Sequence, residues 1–568
     1  MRPFTPERPS RHRRPVGAAV LLALVVAGTL AGCSSSTSSS TTTTAASATS
    51  TSCHRPLPAS PVKATPVTGS STDWNITSFD GTVIRAHWFP VTAYVPTAGA
   101  GPHPTVLMGP GWSLPGDTDT SGQGVLGGLP IRDLLTAGYN VLTWDPRGFG
   151  HSGGQAEVDS PDFEARDVSS LIDWVATLPG VQLDRPGNPR LGMVGGSYGG
   201  GIQLVTAASD CRIDAIVPTI AWHSLTTSLD KAGTAKSGWS GILTNLTSSE
   251  HVDPEVTAAY QSGVVEDAVT PSELAWFAAR GPSQLLHNIH VPTLIVQGTV
   301  DTLFTLQEGV DNYEALKANG VTTSMRWFCG GHGVCLTPTG DPSATEQATL
   351  AWLDRYVKRD RGADTGPGFS FVDQNGTSYS APTYPLPQGT PYLASGSGTL
   401  PLVATGGSGP ITAFPTGQQL GSLVTSITPA PATNAVDVPV HFARSGIIVG
   451  APRLVLTYSG SVPAGTRPTR VFAQLVDKAT GVVLGNQVTP IDVTLDGATH
   501  TTTVPLEIVA YTAESTSDVE LQLVATTVSY GQPRLGGSVT FSTVRLTLPV
   551  ASSLTPVEPS TTPSTVAG

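Results

Sequence analysis

Among the residues whose types and spacing could do chemistry, Ser197 comes first, in the run Gly195-Gly196-Ser197-Tyr198-Gly199 that continues Gly200-Gly201. The run matches G-x-S-x-G, in which a sharp strand-to-helix turn exposes a serine oxygen at a helix N-terminus and glycines keep neighbouring backbones from clashing. A Gly-rich turn with an incidental serine would look the same as a pentapeptide. The hydrophobic residues 191–195 before the turn and the helical run 202–208 after it supply the context that the motif requires.

Two further residues complete an acyl-transfer set. Asp301 closes Gln297-Gly298-Thr299-Val300-Asp301, directly after the strand-like TLIVQG of residues 293–298. A carboxylate there can fix an imidazole in one tautomer and stabilise the cation that forms, although a solvated loop aspartate would read alike. His332 lies in Gly330-Gly331-His332-Gly333, beyond the strand-like residues 324–328, and small neighbours let its loop approach the serine turn. The chain order Ser, Asp, His is that of α/β-hydrolases. Such a site also needs N–H donors for a developing oxyanion. Tyr198 offers one backbone N–H, and the Trp112 N–H in Gly109-Pro110-Gly111-Trp112-Ser113 is the expected second, unless Trp112 is only a pocket wall.

Competing chemistry finds less support. His151, in Asp145-Pro146-Arg147-Gly148-Phe149-Gly150-His151-Ser152, reads as packing of a tight loop, and His223 precedes Asp301 and would break the order. No H-E-x-x-H, paired C-x-x-C or G-x-x-x-x-G-K-[ST] occurs. A catalytic metal and phosphate chemistry are therefore not expected, nor is any cofactor.

The elements that must position these residues follow from pattern. Between residues 73 and 359, short β-rich runs alternate with helical periods, as in a mostly parallel sheet with helices on both faces. Residues 74–79 and 83–89 flank the hairpin signal Asp80-Gly81, and TVLMG (105–109) and NVLTWD (140–145) are short buried strands. Residues 160–178 read as a helix capped by Ser160 with Pro161 at its first position, and Val168, Leu171, Ile172 and Val175 form its inner stripe. Residues 222–288 mix aromatic and polar residues in helical spacing, as a cap would. Leu350, Leu353 and Val357 mark a closing helix. Beyond residue 359 helical periodicity gives way to alternation, with Val519, Leu521 and Leu523 on one face and Val544, Leu546 and Leu548 in a last strand. The expected organisation is an α/β catalytic domain at 61–362, an all-β sandwich or jelly roll at 369–550 and a disordered tail at 551–568.

The N-terminus addresses compartment. Five Arg precede the uncharged residues 16–32, which end Leu30-Ala31-Gly32-Cys33. Small residues before a cysteine resemble a bacterial lipobox, with residues 1–32 as signal peptide and Cys33 as the lipidated residue. An ordinary signal peptide or a short membrane anchor is the alternative. Residues 34–52 contain only Ser, Thr and Ala and suit a flexible tether within 33–60, long enough to set the body roughly 25 Å from a membrane. Outside the cytosol disulfides persist. Cys329 and Cys335, six apart, are the expected pair. Cys53 and Cys211 follow by elimination, with free buried thiols as the alternative.

Composition sets the outer limits. The chain has 568 residues, 39% hydrophobic and 13% charged, against a usual charged share of roughly 25%, so disorder throughout is excluded. The 62 Gly and 48 Pro carry no G-X-Y period, which excludes a collagen-like fibre. Net charge is -12, and -16 without residues 1–32, the wrong sign for a nucleic-acid partner. Membrane contact is expected through the lipid anchor alone, and oligomeric state is left open.

The elbow GGSYGG, the loop DPRGFGHSGG, the strand TLIVQGTVD, the GGHG loop and the C-terminal β-region together resemble the X-Pro dipeptidyl-peptidase and cocaine-esterase family of serine hydrolases, over roughly residues 73–549. That resemblance implies an α/β-hydrolase domain, a helical cap and a jelly-roll domain beside the site, with Ser197 as nucleophile, Asp301 as acid and His332 as base. The family often uses a tyrosine hydroxyl as oxyanion donor, whereas residues 109–116 contain Trp112 and no Tyr. Small esters or short peptides are the expected substrates. A peptidase would need a buried acid for a substrate amine, such as Glu266 or Asp267. The reading from a different class is a lipid-anchored binding module on a silent hydrolase scaffold.

Overall fold

The structure, a computed structural model, describes residues 61–122, 129–266, 269–412, 422–552 and 554–557. The signal segment, Cys33, the tether, Cys53, Asp267 and residues 553 and 558–568 of the expected tail lie outside the described residues. Among those described, no helix is long and apolar enough to cross a membrane.

The catalytic half is one large sheet. Its strands are β1 (Ala64–Pro66), β2 (Asp73–Thr77), β3 (Val83–Phe89), β4 (Thr105–Gly109), β5 (Asn140–Trp144), β6 (Leu191–Gly196), β7 (Ala215–Thr219), β8 (Thr293–Gly298), β9 (Thr323–Phe328), β10 (Phe369–Val372) and β11 (Ser378–Ala381). They lie in the order β1-β2-β3-β5-β4-β6-β7-β8-β9-β10-β11, followed by Thr555–Pro556. From β5 to β10 every neighbouring pair is parallel. Helices cover both faces of such a sheet, which is why β5, β7 and β8 are buried along their whole length and read as continuous apolar runs. β10 and β11 were expected to open the sandwich. They instead lengthen the hydrolase sheet, because the aromatic side chains of Phe369 and Phe371 pack on Trp327 of β9.

Helix α1 (Glu164–Val175) buries Val168, Leu171, Ile172 and Val175 completely, each contributing about 1.5–3 kcal/mol. It begins later than the Ser160-Pro161 signal suggests, since residues 160–163 form a turn in which Glu164 accepts the Ser160 N–H at 2.9 Å. Helix α2 (Tyr198–Ser209) follows β6 directly. The cap carries α3 (Leu225–Leu229), a hairpin of Asp230–Lys231 with Thr234–Ala235, α4 (Ser237–Asn245), α5 (Pro254–Tyr260) and α6 (Pro271–Ala278). The sheet is completed by α7 (Leu306–Ala318) and α8 (Ala344–Tyr356).

From Tyr392 to Leu548 the paired strands are antiparallel among the described residues, with a short helix at Ser422–Ser426. One sheet orders Tyr392–Pro401, Ser538–Leu548, Arg453–Ser461 and His500–Pro505, and another centres on Ala435–Val440, Val519–Val524 and Arg470–Asp477. Val519, Leu521, Leu523, Val544, Leu546 and Leu548 share the core between them. Alternation put these side chains on one face, and burial against the opposing sheet is what fixes the register.

Candidate active site

Ser197 leaves β6 with φ 58° and ψ −118°, a conformation that persists only where surrounding structure over-determines it. Here β4, β6 and α2 meet through bare backbone. A Cβ on Gly199 would lie 2.0 Å from the Gly109 carbonyl oxygen, and one on Gly195 would lie 2.6 Å from it. The Ser197 N–H donates to Thr219 O of β7 at 2.9 Å, while the amides of Gly200 and Gly201 return to the Ser197 carbonyl. The Tyr198 hydroxyl is buried, donates to Glu164 at 3.2 Å and accepts from the Asp159 N–H at 3.2 Å. It thereby pins the first turn of α2.

The loop after β8 carries Asp301, fully buried. Its Oδ1 accepts the N–H groups of Leu303 at 3.0 Å and Phe304 at 2.7 Å. Its Oδ2 lies 2.8 Å from His332 Nδ1, and His332 Nε2 lies 2.7 Å from Ser197 Oγ. The structure thus brings Ser197, Asp301 and His332 together from three separate strand ends. In that geometry the serine hydroxyl donates to Nε2 while Nδ1–H donates to the carboxylate, so a proton can leave the serine for a ring held in the correct tautomer.

His332 sits in the loop closed by the Cys329–Cys335 disulfide. Its flanking glycines serve approach to the acid loop rather than to the serine turn. A Cβ on Gly331 would lie 2.7 Å from Asp301 Cβ, and one on Gly333 would overlap the Val300 carbonyl oxygen at 1.7 Å. Phe304 and Trp239 hold the imidazole edge-to-face at 5.1 and 5.6 Å. Cys211 is itself disulfide-bonded.

Several supporting side chains carried no sequence signal. Trp239 of the cap donates to Thr302 Oγ1 at 2.9 Å, Lys236 donates to Leu303 O at 2.7 Å, and Gln297 donates to Phe304 O at 2.6 Å. Burial lowers the Lys236 ammonium to about 8. An isolated Lys or Trp in a helical segment looks like any surface or core residue until the fold brings it to the loop.

A cleft of about 960 Å³, part of it open to solvent, adjoins Ser197. The cap contributes Leu229, Leu243, Val256, Leu274 and Phe277, and the sheet side contributes Trp112, Trp222 and Phe304. The Trp112 ring packs edge-on against Tyr198 and Phe149 and donates from its indole to Leu243 O at 3.1 Å. Its side chain is therefore a wall of the cleft. The backbone N–H groups of Trp112 and Tyr198 make no hydrogen bond among the described residues. Asp230 is the carboxylate among the lining residues, whereas Glu266 is exposed and does not line the cleft. His151 is exposed and holds Asp145 through its backbone N–H at 2.7 Å. His223 hydrogen-bonds Asn312 at 3.1 Å and lies outside the triad.

Residues 80–334, which hold all three residues, match the model of the X-Pro dipeptidyl-peptidase (S15) family. A human protein named serine hydrolase BPHL is 30% identical over 110 residues, 19% of this chain and 32% of that protein. An uncharacterized Pseudomonas aeruginosa protein, PA2218, is 33% identical over 105 residues, 18% of this chain and 27% of its own length. The chain thus spans less than half the length of these curated relatives. Its fold is shared with a CocE/NonD family hydrolase from Staphylococcus aureus at TM-score 0.61 and 13% identity, over 84% of this chain and 93% of that one. An aminopeptidase from a marine-sediment Thaumarchaeota archaeon gives TM-score 0.62 and 13% identity, over 87% of this chain and 97% of that one. The resemblance of residues 80–334 to the X-Pro dipeptidyl-peptidase family therefore holds, and the chain shares the α/β-hydrolase fold of these structures.

Proposed function

We propose that the protein cleaves esters of apolar carboxylic acids by two-step acyl transfer through Ser197, His332 and Asp301. His332 takes the Ser197 proton as the oxygen attacks the carbonyl, the amides of Tyr198 and Trp112 stabilise the oxyanion, and His332 then protonates the leaving group. Water repeats the cycle on the acyl-enzyme. The observation that carries the substrate class is the cleft, whose aliphatic and aromatic lining adjoins Ser197. Each methylene of an acyl chain buried there is worth about 0.8 kcal/mol. A substrate amine would have Asp230 as its partner, and burial raises that carboxyl above its ordinary value, which weakens it as an anchor for a cation.

The test is a panel of p-nitrophenyl esters of rising acyl length beside X-Pro anilides. This reading predicts that kcat/KM rises with acyl length to an optimum and exceeds that of the anilides. Faster turnover of the anilides would replace it with dipeptide release. We further propose that the enzyme is a bacterial lipoprotein held outside the cytoplasm by acylated Cys33, with residues 34–52 as its tether. The basic residues before the apolar run 16–32 and the Leu30-Ala31-Gly32-Cys33 ending support this. Replacing Cys33 with Ser is expected to release the protein from the membrane fraction, and retention would refute the anchor.

A further inference from the structure

The acid and base loops leave β8 and β9 separately, yet one segment of the β-sandwich touches both. Gln487 Nε2 donates to the main-chain carbonyl of Asp301 at 2.7 Å, across 186 residues of sequence. Its neighbour Asn486 donates from Nδ2 to the carbonyl of Val334 at 2.7 Å, two residues beyond His332. Both side chains are buried, at 7% and 2% exposure. Asn486 sits at φ 54° and Gly485 at φ 66°, so a tight turn aims consecutive side chains at the two loops. That turn is itself held, since the Gly485 N–H donates to Gln374 at 2.9 Å. Nearby, the sandwich residue Glu507 is buried against Lys231 of the cap hairpin and faces Lys236, which grips the same acid loop at Leu303.

We propose that Asn486 and Gln487 are positioning residues for catalysis: they clamp the acid loop to the base loop and so set the Asp301–His332 geometry. The sandwich is then part of the catalytic apparatus and not only an appended domain. This rests on the triad reading above. The physical reason is that two loops from different strands have independent freedom, and misplacing a reacting group by about 1 Å costs on the order of a hundredfold in rate. A pair of buried amides from one turn removes that freedom without touching substrate.

Gln487→Met keeps most of the side-chain length and deletes the donor, and Asn486→Gly deletes the other amide while suiting the positive φ. Rates are taken per active site, titrated with a fluorophosphonate, so that unfolded protein does not register as a catalytic defect. Each variant is expected to lose about ten- to a hundredfold in kcat. KM should stay within about twofold of the parent, since neither residue lines the cleft. In an Asp301→Asn background the same changes should cost far less, because a residue acting through Asp301 has nothing left to position. Asn434→Ala, a half-buried change elsewhere in the sandwich whose side-chain amide reaches the Pro401 carbonyl, should leave kcat unaltered. Full kcat per titrated site in both variants, or an equal loss in the presence and absence of Asp301, would overturn the clamp. Ser197→Ala run alongside separates the two readings, for if it keeps parental turnover the triad itself fails.

Discussion

Replacing Asp301 with Asn should cost far more than the change of one atom suggests, and the reason lies in what faces each carboxylate oxygen. Oδ1 accepts two backbone N–H groups, from Leu303 and Phe304 at 3.0 and 2.7 Å. An asparagine must keep its carbonyl oxygen there, because turning the amide over would set its NH2 against two donors. The NH2 group then faces His332 Nδ1, where the wild-type carboxylate accepts at 2.8 Å. Nδ1 can satisfy that donor only as an acceptor, which moves the ring proton to Nε2. Nε2 then carries a hydrogen where it must accept the Ser197 proton. The loss expected for this inverted tautomer is on the order of 10⁴ in kcat, or about 5.5 kcal/mol of transition-state stabilisation. KM should change little, since the cleft is untouched. The assay is turnover of the best p-nitrophenyl ester, with Ser197→Ala as baseline and circular dichroism as the check on folding. A folded variant within tenfold of wild-type kcat would refute the reasoning.

Three further outcomes follow from the same packing. Gly199→Ala should lower kcat at least about a hundredfold and destabilise the protein by about 1–3 kcal/mol, because its Cβ meets the Gly109 backbone at 2.0 Å and no side chain can yield; Gly241→Ala in α4, with nothing within 4 Å of the new Cβ, is the neutral control in the same assays. Removing the Cys329–Cys335 disulfide as a Ser/Ser pair should cost only about 2 kcal/mol by the chain-entropy relation and a few degrees of Tm, yet depress kcat strongly, since the loop it closes carries His332. His87 lies between Asp145 at 3.1 Å and Asp73 at 2.9 Å, and although burial pulls its imidazole down, those two carboxylates outweigh it and hold the pKa above 6.5. Its contribution is therefore fully present below pH 6.5 and lost as pH rises through the raised folded value, so the Tm advantage of wild type over His87→Gln should shrink on going from pH 6 to alkaline buffer.

The catalytic half was legible where local pattern and tertiary demand coincide. TVLMG and TLIVQG are strands at the residues their apolar runs mark, and the glycines around Ser197 are where backbones touch, because those constraints are written in consecutive residues. Boundaries set by long-range packing were not. β10 and β11 alternate as sandwich strands would, but edge-on and tilted packing of Phe369 and Phe371 against Trp327 draws them to the large parallel sheet. Ser160 and Pro161 are good helix-start residues, yet Glu164 serves the turn before α1 and delays the helix. Ser197, Asp301 and His332 stand in recognisable motifs, whereas Trp239, Lys236, Asn486 and Gln487 hold their loops by single hydrogen bonds from other parts of the chain. No spacing encodes such contacts. Trp112 shows both aspects, its position after β4 being readable and the seating of its ring against Tyr198 and the cap not.

The central claim is that Ser197 is the nucleophile, and covalent trapping tests it most directly. Wild-type protein treated with a fluorophosphonate and then digested should show one phosphonyl adduct per chain, on the peptide containing Ser197. Ser197→Ala, which keeps the fold and deletes only the hydroxyl, should take up no label and lose ester turnover. An adduct mapped to another residue, or a folded Ser197→Ala protein that still turns over ester at the wild-type rate, would contradict the account.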